Sequence, residues 1–255
     1  MNKCKKKLIE GIILILLVIY LIFSVFCCGI FFKNKYTNEN VSFYYNDIEN
    51  YNLNLSDKAS LDNYFYELTN KLKANPFYNP EKKIKIFICD SYGLYTFLSN
   101  IIYKSIGQTR TFGNHNFIVI NKTDFSTKKV ISQNKTNNIR NFESVVLHES
   151  THAFRTKIHS LFNRFSLPVW KEEGICESIA SESSYKIETG LQNFLSGKSD
   201  NSKSYKYFEY RLAVLYMKNY EQLSYEEIIK DKRNLSEILN NIKQIPYKDI
   251  EIWFY

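Results

Sequence analysis

Residues 11–32, GIILILLVIYLIFSVFCCGIFF, hold no charged side chain, and an apolar run of this length near the N-terminus has few places to go. At ~1.5 Å per helical residue the run spans about 33 Å, enough to cross the hydrocarbon of a bilayer. A buried core helix fits that length less well. A cleaved signal peptide is disfavoured because the run closes on Phe31 and Phe32 with no small-x-small site, and neither Cys27 nor Cys28 follows the small residue of a lipoprotein site. The expectation is one uncleaved N-terminal transmembrane helix. Lys3, Lys5, Lys6 and Lys7 precede it, while only Lys33 and Lys35 follow closely. The positive-inside bias then keeps the N-terminus in the cytoplasm and places the rest of a single-pass cell-membrane protein outside.

This division also accounts for the charge. Six lysines against Glu10 within residues 1–35 supply +5 of the total +8, leaving +3 on the remainder. So small an excess calls for no nucleic acid as a partner. Of the five cysteines only Cys89 and Cys176 fall in the expected folded domain, and their settings predict two separately buried thiols.

Past the anchor, NKYTNEN reads as a polar spacer. Ser56 to Lys73 predicts a helix capped by Ser56, with Leu61, Tyr64, Phe65 and Leu68 at helical spacing. KIKIFIC predicts a buried strand, SYGLYTFLSNIIY a helix and NFIVIN a second strand, while the Asn- and Lys-rich segment 121–138 reads as a surface loop. Helical signals then dominate over 139–158, 168–183, 204–219, 222–230 and 234–242. The fold class expected is α+β, divided into residues 1–35 (basic start and anchor), 36–138 (a small mixed subdomain with an edge strand) and 139–255 (an active-site helix and a mostly helical subdomain).

Within the first of those later helices stands VVLHESTHAF, residues 145–154. Helical spacing brings His148 and His152 to one face a turn apart, as two ligands of one metal require. Glu149, about 100° further round, can overhang an open coordination position without filling it. That is where a carboxylate accepting a proton from metal-activated water has to stand. His159 follows His152 by seven positions, whereas the metzincin pattern wants six with a glycine between, and Arg155 stands where that glycine would be.

HESTH followed downstream by W-x-x-E-G-x-x-E, in PVWKEEGICESIA (168–180), resembles the gluzincin metallopeptidases, in particular bacterial peptidase-MA-like domains. The resemblance covers roughly residues 84–230. It implies Zn²⁺ held by His148, His152 and Glu173, with Glu149 as general base. Glu172 would also fit on distance, but Glu173 directly precedes Gly174, as the ligand glutamate does in the family. Glu177, one turn on, takes the place of the carboxylate that orients the first zinc histidine, and Cys176 stands where alanine is usual. The family also implies an edge strand that pairs with extended substrate, for which TRTFGNHNFIVIN is the suitable segment. His115 within it reads as a surface turn residue rather than part of the cleft. A tyrosine from the C-terminal helices would steady the oxyanion, with Tyr207 and Tyr210 as candidates.

The expectation is a membrane-anchored zinc metallopeptidase that hydrolyses peptide bonds of a peptide or protein substrate outside the cytoplasm. The alternative is an inactive, membrane-tethered binding or scaffold domain of the same fold. Glu149 distinguishes them, because a metal that only staples the fold has no use for that carboxylate.

Overall fold

The structure, a computed structural model, describes residues 11–15, 28–51, 58–99, 105–112, 115–133, 139–155, 167–198 and 200–254. It is a mixed α/β fold. Strands β1 (Asn34–Asn38), β2 (Val41–Tyr45), β3 (Lys83–Ile88), β4 (Gly107–Phe112) and β5 (His115–Ile120) form one sheet in the order β1-β2-β3-β5-β4. The inner pairs β2–β3 and β3–β5 are parallel, and the outer pairs are antiparallel. β3 and β5 are apolar over their C-terminal portions, Ile86–Ile88 and Phe117–Ile120, because both of their faces are covered there. β4 is therefore an edge, with β5 its partner. A smaller antiparallel sheet joins β6 (Thr123–Asp124), β7 (Lys129–Ile131) and β8 (Ile139–Asn141).

From residue 58 onward the described α-helices are α1 (Lys58–Lys73), α2 (Tyr92–Ser99), α3 (Phe142–Arg155), α4 (Val169–Ala180), α5 (Ile187–Leu195), α6 (Lys203–Leu215), α7 (Tyr225–Lys230), α8 (Leu235–Ile242) and α9 (Tyr247–Glu251). α1 and α3 cover the inner face of the sheet, where Phe65 stacks on Phe43 and Val145, Val146 and Phe154 of α3 join Ile86 and Ile118 in one cluster. Each such fully buried side chain contributes roughly 1.5–3 kcal/mol. α2 covers the outer face with Tyr95 and Leu98 against Phe87, Phe117 and Val119. Helices α4 to α9 enclose a separate cluster centred on Phe208, Leu212 and Val214. Phe77 packs against both the inner-face cluster and the helical one.

Several expectations change. Residues 28–31 form a 3₁₀ turn rather than the end of a spanning helix, and Phe32 is 8% exposed against Phe87 of the sheet. An apolar run reads alike whether lipid or core covers it, so its last residues were indistinguishable from membrane sequence. Among the described residues no helix is long and apolar enough to cross a membrane, and most of the expected span lies outside them. NKYTNEN is not a spacer: it forms β1 and the turn into β2, with Glu39 in the left-handed region at φ 52°. The segment 121–138 contains β6 and β7, and α5 and α9 add two helices to those expected. TRTFGNHNFIVIN divides into the edge strand β4 and the interior strand β5. His159 lies outside the described residues. Cys89 and Cys176 are both buried.

Candidate metal centre

α3 sits where β8 turns directly into its first residue, with its apolar side against the sheet. Its C-terminal carbonyls, Ala153 O and Phe154 O, each accept a 2.8 Å hydrogen bond from the Nζ of Lys82, which is 4% exposed. A buried cation on the last carbonyls complements the negative end of the helix dipole. The opposite side of α3 meets α4, and here the chain brings the two motifs together.

His148 Nε2 and His152 Nε2 are 3.2 Å apart, and Glu173 Oε2 lies 3.3 Å from the first and 3.6 Å from the second. Three donors held at ~2.0–2.1 Å around a tetrahedral zinc ion stand about 3.3–3.4 Å from one another, so the triangle has the right size. Its chemistry points the same way. Each histidine turns its other ring nitrogen to a carboxylate: His152 Nδ1 is 2.9 Å from Glu172 Oε1, and His148 Nδ1 is 3.1 Å from Glu177 Oε1. The second contact is an ion-pair approach off the N–H axis rather than a well-directed hydrogen bond. With protons on the Nδ1 atoms, two imidazole lone pairs and a carboxylate oxygen face a common point, an arrangement that needs positive charge at its centre.

Without a metal, protons meet that need. Burial pulls the His148 imidazole down, but Glu173 and Glu177 more than offset it and push it up to about 10. His152 is likewise raised well above the ordinary value, burial again being outweighed, by Cys176 and by the glutamates. Burial would raise the Glu173 carboxyl, yet hydrogen bonds from the two histidines hold it well below the usual carboxylate range. A divalent cation would take the place of those protons.

Glu177 is fully buried, and burial would raise its carboxyl too. Arg140 of β8, itself 6% exposed, opposes this with Nη1 2.8 Å from Glu177 Oε1, and the carboxyl stays below its ordinary value. Arg140 Nη2 also donates to Ser144 Oγ and to the Glu182 carbonyl, both at 2.9 Å. Arg140 thus ties β8, α3 and α4 together behind His148. Glu172 faces outward by comparison, and Arg155 Nη1 lies 2.8 Å from its Oε2.

Cys176 introduces a second donor set, His148, His152 and Cys176. Its Sγ, however, is 3.5 Å from His152 Nδ1, the nitrogen on the far side of the ring from His148. A single ion can take the two Nε2 atoms with Glu173 as they stand, whereas the cysteine set needs His152 to present its other nitrogen.

Glu149 stays out of the triangle. The Thr109 hydroxyl on β4 lies 2.6 Å from Glu149 Oε2 and 2.8 Å from the Glu149 carbonyl, sharing one proton between them. Gly107, two residues earlier and so on the same side of the edge strand, leaves the space the side chain occupies: a Cβ there would stand 2.9 Å from Glu149 Cγ and Oε1. Tyr207 approaches from α6. Its phenol is pushed up by burial and then by Glu173, Glu177 and Glu149, whereas Tyr210, also raised by burial, feels Glu209 and then Glu173. Tyr207 is thus in electrostatic reach of the whole group and Tyr210 of one member. His115 is exposed at the start of β5, away from the histidines.

The structure therefore gathers His148, His152, Glu149, Glu172, Glu173 and Glu177 and leaves His115 outside. Gly107, Arg140 and the role of Thr109 were missed; the one sign was that Thr109 opens the segment TRTFGNHNFIVIN expected to hold the edge strand. Comparison with family models, curated proteins and solved structures finds no match for this chain.

Proposed function

We propose that this chain is a gluzincin-like zinc metallopeptidase, tethered by an N-terminal membrane helix with its α+β domain outside the cytoplasm, that hydrolyses peptide bonds. The observation that carries the reading is the convergence of His148 Nε2, His152 Nε2 and Glu173 Oε2, with Glu149 beside the triangle and bonded elsewhere.

Zinc held by His148, His152 and Glu173 would supply Lewis acidity, polarising a carbonyl and acidifying water. Glu149 accepts the proton of the attacking water and hands it to the departing amine nitrogen. The Thr109 hydrogen bond fixes the carboxylate for both transfers. Glu177, locked by Arg140, favours a proton on His148 Nδ1 through its negative charge and so keeps Nε2 available as a donor of electrons. Tyr207, whose raised phenol keeps its proton, can donate a hydrogen bond to a carbonyl oxygen as negative charge grows there. Among the described residues β4 pairs with β5 alone, and its outer edge offers an extended peptide a place to add as a strand, beside the residues that hold Glu149.

The test is elemental analysis of the purified chain with digestion of a mixed peptide library. About one zinc per chain, with cleavage that a chelator abolishes and zinc restores, is the expected result. Zinc without cleavage of any peptide would leave a metal-stapled binding domain, and neither zinc nor cleavage would overturn the assignment. The cysteine donor set predicts something else, since Cys176→Ala would then strip the metal and Glu173→Gln would spare it.

A further inference from the structure

The two faces of the five-stranded sheet differ in charge. Alternation along the strands turns Lys35 of β1, Lys83 and Lys85 of β3 and Arg110 of β4 to the outer side, together with Tyr44 and Phe117. No aspartate or glutamate occupies an outward position on any of the five strands. Lys35 Nζ lies 5.5 Å from the centre of the Tyr44 ring and Lys85 Nζ 5.6 Å from that of Phe117, so the stems cover apolar surface. Among the described residues no carboxylate pairs with Lys35, Lys83 or Lys85. It is this same face that receives the end of the apolar run: Phe32 packs on Phe87, Phe31 meets Phe97 edge-on, and Ile30 and Phe97 remain 69% and 37% exposed.

We infer that the part of this side which α2 leaves uncovered, carrying Lys35, Lys83 and Lys85, docks together with Ile30 and with Phe97 of α2 on an anionic bilayer, the one the apolar run enters. The inference rests on the anchored reading. Two observations select lipid as the occupant. No linker separates Cys28 from the folded residues, so the chain leaves the run directly onto this face. The face also pairs basic side chains with exposed Ile30 and Phe97, as an interface of headgroups and acyl chains requires; a phosphate backbone alone would leave those apolar groups in water. Each lysine near an anionic membrane surface adds about fivefold to its attraction, so three add on the order of 10²-fold.

The experiment uses the full-length chain in nanodiscs of phosphatidylcholine, with and without phosphatidylglycerol, doped with a phospholipid carrying a photoactivatable headgroup. Cross-linked peptides are mapped by mass spectrometry for the wild type and for the Lys35→Glu, Lys83→Glu, Lys85→Glu triple variant, whose changes are at solvent-facing positions. Cross-links concentrated on residues 28–44 and 83–117, increased by phosphatidylglycerol and reduced by at least tenfold in the variant, are expected. A chain that stays in the disc but cross-links equally in both lipid mixtures, or mainly through α7 to α9, overturns the docking face alone. A chain recovered outside the disc overturns the anchored reading and this inference with it. An oligonucleotide that displaces the cross-links from the anionic disc would assign the face to a different polyanion and overturn the choice of lipid.

Discussion

The two helices that build the candidate metal centre are secured in different ways. α3 carries two donors on one rigid element, so their spacing is set by the helix itself, and its position is set by the sheet beneath and by Lys82 at its C-terminus. α4 carries one donor, and its position depends on how closely it approaches α6. A Cβ at Gly174 would stand 2.4 Å from the Tyr210 carbonyl oxygen and 2.8 Å from Val214 Cγ2, so the residue next to Glu173 is also the point of closest helix contact. The difference teaches that half of the site is defined locally and half by the separation of two helices. Damage to the first half should be confined to the residue changed. Damage to the second can come from residues that never touch an ion.

The largest effect expected is on the local half. His148→Ala should lose both zinc and hydrolysis, read by elemental analysis and peptide digestion, because no neighbour on α3 can supply the missing nitrogen. Glu149→Gln should retain about one zinc while hydrolysis falls by ~10²- to 10⁴-fold. A variant that cuts peptides at the wild-type rate would remove Glu149 from the chemistry. Next come Glu177→Gln and Glu172→Gln, which should each weaken zinc by ~10- to 100-fold in a chelator competition, Glu172→Gln the less because its side chain is partly exposed where Glu177 is buried. If Glu172→Gln strips zinc and Glu173→Gln does not, the ligand is one residue earlier than assigned.

Gly174→Ala tests the other half. Forcing α4 from α6 should cost about 1–3 kcal/mol in denaturant unfolding and weaken zinc binding although every donor is intact. Unchanged zinc affinity would show that α4 is fixed by contacts other than this one, and the contrast between the helices would fail. The last response, modest for each pH unit, is that of zinc binding to pH. Metal-free His148, pushed up to about 10 by Glu173 and Glu177 against the opposing effect of burial, carries a proton at pH 7 that zinc must displace. Apparent affinity should therefore rise about tenfold per pH unit for each proton released, up to pH ~10, and fall as pH drops. Calorimetry in buffers of different ionisation enthalpy counts that proton, and a count of zero would contradict the proposed protonation of the metal-free site.

Legibility in the sequence followed the range of the interaction. The His148–His152 spacing and the strand at KIKIFIC are set by near neighbours, and both are present. β1 was hidden because its side chains are exposed or half-buried throughout, which leaves no alternation of apolar residues to read. Residues 28–32 were hidden for the opposite reason, being apolar enough for either destination. Arg140 meets Glu177 from 37 positions away, and no local pattern marks an arginine for such a partner. Thr109 lies 40 positions from Glu149, and its role follows only from the register that turns it toward α3.

The boundary between the two apolar clusters runs between α3 and α4, and the centre lies on it. His148 and His152 belong to the body built on the sheet, and Glu173 to the helical body, with Phe77 among the few apolar side chains shared by both. An ion ligated from both sides would act as a cross-link between residues 148 and 173, adding to the ties that Arg140, Arg155 and Phe77 already make between the two bodies. At a thousand times its dissociation constant such an ion stabilises the folded chain by about 4 kcal/mol, and that energy is lost when the joint opens even if neither body unfolds. Zinc availability would then set whether the molecule melts as one cooperative unit or as two.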